Sequence, residues 1–389
     1  MSKIKIETLT SVHVGSGETL QYGNDFVRGK SKDGDDYYIG IVDPQKVMGL
    51  IREENIDNWV KAIERKESTS DIVHLYAPKA TFEDYSKRIL YECSPVKPTD
   101  TLKEQIHDGR GLPYIPGSSI KGAIRTAVLS SIIEDEDNLD GEKLITKFKD
   151  GQIKRDKKGN PIVKADEYEK TYFGKDPKNM NDDIFRILQI GDAFFEKDCE
   201  LSIRMVNINE REKQSFWDTS KQQLIEVIGP GYQSGFQMKL NLDLYHIAIE
   251  KKAIHSIPPC LRNIHDLFET INNHSTSLID NEIEYWSERK EKDDTDAVES
   301  YIEEMENMKS EAEKCIPGES CILRLGHGSG WRFITGAWAE NLDNFDSIVV
   351  PASRPNNARY SEYDFPKTRR VSSTNELLGF VKLSIKESD

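Results

Sequence analysis

The sequence predicts an α+β fold made of a duplicated unit, with a helical insertion in its second half. Three observations lead there. Short strand-like apolar runs are interleaved with amphipathic helical segments. Each half places a glycine-rich loop after a strand, at residues 13–18 and 326–331. Residues 261–315 hold a long charged stretch with helical spacing. The chain has 389 residues, 37% of them hydrophobic and 31% charged, enough for two ordered domains with separate cores.

In chain order, residues 4–14 read as an opening strand with Ile4, Ile6 and Leu9 on one face, running into the loop HVGSGE. Residues 25–28 and 37–42 are further strands around a polar turn at 31–35. Asp43-Pro44 then starts a helix through Met48, Leu50 and Ile51. Residues 56–66 and 81–91 are helical or mixed. The segment YIPGSSIKGAIRTAV at 114–128 bends at Pro116-Gly117 and enters a helix whose buried face is Ile120, Ile124, Ala127, Val128 and Ile132. Lys121 and Arg125 share a neighbouring face, one turn from the free N–H groups of the helix start. Such a start suits an anion, and it equally describes any well-capped helix with solvated cations. Residues 148–163 contain DKKGNPIV, either a projecting hairpin or a solvated loop. Strands are expected at 183–195 and 200–206, the latter continuing the first sheet. A second sheet starts at 224–242, where Phe236, Met238, Leu240 and Leu242 alternate. After the insertion come a strand at 321–325, the loop GHGSGW, a helix opening at 331–338, a Pro/Asn/Arg-rich loop at 351–360, FPKTRRV, and a last strand at 378–385.

Charge is segregated. The net charge of −15 argues against nonspecific nucleic-acid binding for the chain as a whole. Residues 282–313, however, carry 13 acidic against 4 basic side chains, whereas residues 147–164 carry 7 basic against 2 acidic. Locally basic surface therefore remains for a polyanion. The acidic stretch reads as a solvated helix face, or as a dock for a basic protein. GSSIKG lacks the P-loop spacing, so nucleotide hydrolysis is not indicated. No apolar run approaches the length of a membrane span, and MSKIKIETLT lacks a signal-peptide core, so cytoplasmic residence and no membrane partner are expected. The five cysteines form no CxxC pair, which points to free thiols and to no metal site or cofactor.

Taken in order, HVGSGE, YIPGSSIKGAIRT, LQIGDAFF, LRLGHGSGW and FPKTRRV resemble the RAMP superfamily of CRISPR ribonucleoproteins. The likeness is strongest to the fifth Csm subunit of type III-A effector complexes, which caps the guide RNA (crRNA) 3′ end. It spans nearly the whole chain, and IPGSSIKGAIRT and GHGSGW are its specific parts. The resemblance implies two ferredoxin-like (RRM-like) domains, at 1–222 and 223–389. It implies crRNA and target RNA as ligands, with the repeated Csm backbone subunit and the small Csm subunit as neighbours. It also implies support of crRNA maturation through host nucleases, and a thumb hairpin, placed at 152–163. By the same resemblance His13, Gly15, Ser16, Gly17, Gly117, Ser118, Ser119, Lys121 and Arg125 hold guide phosphates. Gly326, His327, Gly328, Ser329 and Gly330 form the second glycine-rich loop, and Arg332, Lys367 and Arg369 add basic contacts. Asp192, in LQIGDA, is expected to be structural.

Glycine loops offer N–H groups to phosphates without reading bases, as a protein serving many guides requires. Trp331 beside Arg332 and Tyr360 beside Arg359 are candidates for base stacking, Trp331 equally for the core. Of eight histidines only His13 and His327 adjoin glycine loops, and neither has an identified acid–base partner. The chain therefore reads as a non-catalytic RNA-binding subunit; the alternative is a metal-independent endoribonuclease acting on precursor crRNA.

Overall fold

A computed structural model describes residues 2–386 apart from 31–34, 66, 135–140, 158, 160, 165–171, 174–182, 213–214, 251–256, 290–295, 335 and 354–364. The polar turn at 31–35 and the loop at 351–360 thus fall largely outside the described residues.

Strand β1 (Ser2–Thr8) buries Ile4, Ile6 and Thr8 at period two and exposes or half-exposes the residues between. It is the centre of a five-stranded sheet ordered β13 (Ser320–Arg324), β15 (Phe380–Ile385), β1, β12 (Gln233–Leu240), β8 (Leu188–Ile190). The register pairs Ile4 with Phe236 on one side and with Ile385 on the other, both antiparallel. A second, eight-stranded sheet runs β2 (Gly15–Gln21), β6 (Thr101–Gln105), β11 (Trp217–Ile228), β10 (Glu200–Asn209), β5 (Ser86–Glu92), β4 (Tyr37–Val42), β3 (Phe26–Lys30). Strand β14 (Thr368–Ser372) also pairs with β10. A two-stranded ribbon joins β7 (Tyr114–Ile115) to β9 (Ala193–Phe194).

The mixed α+β class is as expected, but the sheets do not follow the division at 222/223. That boundary lies inside β11, which belongs to the sheet of the first half, while β1 is flanked by β12 and β15 from the second half. Two local expectations also change, and a third, the mixed segment at 81–91, is resolved in detail. Residues 15–21 of the HVGSGE region form an edge strand, β2, rather than a loop. Residues 184–187 and 331–333 form short 3-10 turns, because the apolar residues there pack from irregular backbone. Residues 81–91 resolve into a 3-10 turn followed by β5.

Helices α1 (Pro44–Ile51), α2 (Ile56–Glu64) and α3 (Thr69–Tyr76) close a small core around Val47, Ile51, Trp59 and Val73. Asp43 caps α1 by accepting from the Gln45 N–H at 2.9 Å. Helix α4 (Gly117–Glu134) buries Ile120, Ile124, Ala127 and Val128 in the largest core, together with Ile4 and Ile6. The insertion is a pair of helices, Ile264–Ser287 and Asp296–Glu313. The second buries Tyr301, Ile302, Met305 and Met308 and leaves Glu299, Glu303, Glu306 and Glu313 exposed, so most of the acidic stretch is a solvated face. All five cysteines are free, four of them buried. Among the described residues no helix is long and apolar enough to cross a membrane.

Candidate nucleic-acid interface

The two glycine loops, some three hundred residues apart in sequence, meet in space. After β1 the chain crosses to β11 through reciprocal Val12–Ile228 backbone hydrogen bonds, which set His13 beneath the start of β2. The His13 ring is buried, and its Nδ1 lies 2.6 Å from the Glu226 carbonyl oxygen. From the other end, the His327 N–H donates to the His13 carbonyl at 2.8 Å. Glycine is required at 326: φ is +83°, and a Cβ would stand 2.5 Å from the His13 oxygen. The two imidazoles sit edge to face with centroids 5.7 Å apart, and His327 Nε2 lies 3.1 Å from Gln223 Oε1 on β11. Gly15, Ser16 and Gly17 are exposed above them. Ser329 is buried, and its hydroxyl donates to the Gly326 carbonyl at 3.1 Å.

Electrostatics identify two residues that were not among the site residues expected from the sequence. Burial, and then the positive charge of Lys103 on β6, hold the His13 imidazole at about 4 against the opposing Glu226 hydrogen bond. His327 is likewise held at about 4 by burial, Lys103, His13 and Arg370. Both rings are therefore neutral near pH 7. Arg370 on β14 pairs with Asn207 of β10, and Lys103 pairs with Ile225 of β11. The Arg370 Nη1 atom is buried with no hydrogen-bond partner, and burial lowers its pKa with only Asp218 opposing. Neither Lys103 nor Arg370 forms an ion pair among the described residues. A guanidinium, an ammonium, two imidazoles and glycine-loop backbone thus lie near one another, and among the described residues neither cation is tied up in an ion pair, although the Asp218 charge reaches Arg370. That is an environment for a phosphate.

The helix start behaves otherwise. Gly117 is needed for packing, since a Cβ there would lie 2.3 Å from the Ile190 oxygen. Its N–H is taken by Asp192 Oδ1 at 2.8 Å, the structural role expected of Asp192. Lys121 Nζ donates to the Leu188 carbonyl at 2.7 Å. Arg125 Nη1 donates to both oxygens of Asp183 at 3.2 and 3.0 Å, and its guanidinium lies 4.0 Å from the Phe173 ring centroid. Lys121 and Arg125 therefore tie α4 to Leu188 at the start of β8 and to Asp183 before it, spending on internal partners the charge expected to meet phosphate. Ser118 is exposed and Ser119 half-buried. Arg125→Ala should cost about 1 kcal/mol, as the pair is partly exposed. In urea unfolding the midpoint should fall, while RNA bound per folded molecule stays constant; a selective RNA defect would restore Arg125 to the interface.

Arg332 and Arg369 are corrected in the same way. Arg332 donates to Glu282 at 2.7 Å and to Glu340 at 2.7 and 3.1 Å. Arg369 is buried and grips both oxygens of Glu282. Lys367, half-buried before β14, has partners of its own. Trp331 packs on Phe365 and Phe345, with ring centroids 4.9 and 5.7 Å away, which assigns it to the core. Residues 359 and 360, the other stacking candidates, lie outside the described residues.

Residues 144–164 fold back on themselves, with the Thr146 N–H donating to Ile162, Lys154 to Thr146, and Ile162 to Lys154. Phe148 and Ile153 are exposed on this module, and Lys154 Nζ stands 5.2 Å from the Phe148 ring centroid. An exposed aromatic amid lysines is suited to bases and phosphates together.

The RAMP superfamily profile matches residues 5–333. No curated protein matches the chain. Among solved structures, the chain is similar to one in the cryo-EM structure of a Csm–crRNA–target RNA ternary complex of a type III-A CRISPR-Cas system. That match has a TM-score of 0.64 and 17% identity, covering 99% of this chain and 100% of that one. It is also similar to the crystal structure of T. onnurineus Csm5, with a TM-score of 0.62 and 16% identity over 97% of this chain and 99% of that one. With the profile spanning most of its length and the fold shared from end to end, the chain belongs to the RAMP superfamily.

Proposed function

We propose that the chain is a non-catalytic RNA-binding subunit of a type III-A CRISPR effector complex, capping the backbone filament at the crRNA 3′ end and supporting crRNA maturation. The observation that carries the reading is the meeting of both glycine loops near Lys103 and Arg370, two cations that form no ion pair among the described residues. Contacts of this kind bind sugar–phosphate without reading bases. The shared fold over the full length of both compared chains supports the place in the complex. On this reading its partners are crRNA, target RNA, the repeated Csm backbone subunit, the small Csm subunit and recruited nucleases. The 144–164 module, rather than 152–163 alone, is the thumb.

Two imidazoles side by side also invite the endoribonuclease alternative. General acid catalysis at neutral pH needs one of them protonated, and burial with Lys103 holds both neutral down to about pH 4. Holding is favoured over cutting. The test is RNA crosslinking on the complex reconstituted with guide RNA. Crosslinked peptides should contain Gly15–Gln21, His327 and Phe148. Crosslinks confined to other surfaces would overturn the assignment.

A further inference from the structure

We propose that the cleft between α4, the first insertion helix and the 3-10 turn Ala337–Asn341 receives an arginine side chain from a basic protein partner. The cleft holds about 320 Å3, at the small end of ligand-pocket sizes. One wall is the stripe His274, Ser277, Asn281, Glu284 and Glu288, a single face of the insertion helix at 3.6-residue spacing. Opposite it stand Ser130 of α4 with Trp338, Glu340 and Asn341. Elsewhere on the same helix Leu267, Ile271 and Ile279 are buried, the usual apolar stripe of a packed helix. A polar stripe turned to a cleft instead calls for a polar occupant.

The independent pointer is Ser130. It is 5% exposed and lines the cleft, yet its hydroxyl makes no hydrogen bond among the described residues. The oxygen is not among the sealed polar atoms of the interior, so the cleft reaches it. A buried hydroxyl without a partner is costly unless something entering from outside supplies one. His274 is in the same position. Its ring has no hydrogen bond among the described residues, and burial alone lowers the imidazole to about 4. At neutral pH it is uncharged and offers a ring nitrogen as acceptor.

Charge decides the sign of the occupant. Three carboxylates, Glu284, Glu288 and Glu340, line the space against one cation, Arg332. That cation is spent, donating to Glu282 and to Glu340 at 2.7 Å each. Arg289 comes within 3.6 Å of Glu288, but its Nε donates to Glu210 at 2.8 Å. Glu284 is exposed and has no ion pair among the described residues. A phosphate would be repelled here, which sets the RNA backbone aside. The open groups are acceptors spread around the space: a hydroxyl, an imidazole nitrogen, amide oxygens and a carboxylate. A guanidinium, with five N–H donors in a planar fork, matches that spread better than the point charge of an ammonium. Its methylene stem would lie along Leu278 and Ala337. The stretch 282–313, with 13 acidic against 4 basic residues, adds a field that draws a basic protein in.

The first arm of the test uses the full chain alone and does not depend on RNA binding. Histidines are isotope-labelled at Cε1, the His274 signal is assigned by its loss in His274→Gln, and acetyl-Gly-Arg-Gly-amide is titrated in. That signal should shift and saturate, and acetyl-Gly-Lys-Gly-amide should bind several-fold less tightly. Glu284→Gln with Glu288→Gln, both at exposed positions, should weaken the arginine peptide on the order of 10-fold. Glu303→Gln, on the solvated face of the second insertion helix, should leave it unchanged. A shift with uridine monophosphate but not with the arginine peptide would overturn the proposal in favour of a splayed nucleotide. No shift with either would overturn it outright. The second arm asks whether a protein supplies the arginine, and it rests on the proposed place in an effector complex. Glu284→Lys with Glu288→Lys should cost the reconstituted complex on the order of 10-fold in retention of one protein subunit on gel filtration. Full retention would overturn the protein source. A wild-type chain that assembles with no subunit would count against the place in the complex, with the peptide arm still deciding the cleft.

Discussion

Glu282→Gln is expected to destabilise the chain by about 3–5 kcal/mol, the largest single-residue loss of stability foreseen here. Glu282 is fully buried on the first insertion helix. Its oxygens accept from Arg369 on β14, from Arg332 in the turn after GHGS, and from the Tyr301 hydroxyl of the second insertion helix at 2.7 Å. One carboxylate thus ties four elements together. Glutamine keeps the shape but turns an N–H2 toward two guanidinium groups and leaves both cations buried without a counter-charge. Burial alone pushes the Glu282 carboxyl up, yet Arg369 and Arg332, with the Tyr301 hydroxyl, outweigh it and hold it at about 2. Because the folded value lies below the ordinary 4.5, its contribution is complete above about pH 4.5 and is lost as pH falls toward 2. Urea unfolding at pH 7 and pH 3 checks both points. Wild type should lose stability across this interval, and Glu282→Gln should lack that part of the slope. A loss below about 1 kcal/mol at pH 7 would mean that the arginines find other partners.

The same cluster shows where sequence reading reached and where it stopped. The buried stripe of α4 was legible because Ile120, Ile124, Ala127 and Val128 recur at 3.6-residue spacing, and all four are fully buried. The roles of its cations were not. Whether Lys121 and Arg125 face a ligand depends on the Leu188 carbonyl and on Asp183, more than fifty residues away, which no local pattern reports. At Gly117 the sequence suggested a phosphate contact, whereas the structure shows a packing requirement: it lets α4 approach the Ile190 backbone. The glycine loops were recognised by family likeness, whereas their mutual contact, the Gly326 Cβ position against His13, exists only in three dimensions. Lys103 sits in TLKEQ, which carries no motif, and becomes significant only through the neighbouring order of β6, β11, β10 and β14. For Arg370 a usable signal was present. FPKTRRV is a strand, strands alternate, and two adjacent arginines must face opposite sides. Arg369 points into the Glu282 core, and the Arg370 charge, on the other side of the strand, is felt by His327 of the second glycine loop.

That alternation makes the neighbouring arginines a sharp test of the RNA-binding reading. Lys103→Ala with Arg370→Ala is expected to weaken guide RNA binding by about 10- to 100-fold at physiological salt, from the loss of charge-assisted phosphate contacts. Each contact to a single strand adds about 0.7 to the slope of log affinity against log salt, so the double variant should lose about 1.4 of that slope. Stability should move the other way. Arg370 Nη1 is buried without a partner, so the folded chain bears an unreturned desolvation cost that alanine removes. Urea unfolding of the double variant should give a midpoint equal to or above that of wild type. Arg369→Ala, one residue away, should unfold the core by stranding Glu282, and so lose RNA only through lost protein. A site kept for function against stability predicts this opposition, and a merely structural cation cannot produce it. If the double variant binds guide RNA with wild-type affinity and salt slope, the two cations do not touch phosphate, and the glycine-loop junction is architecture alone.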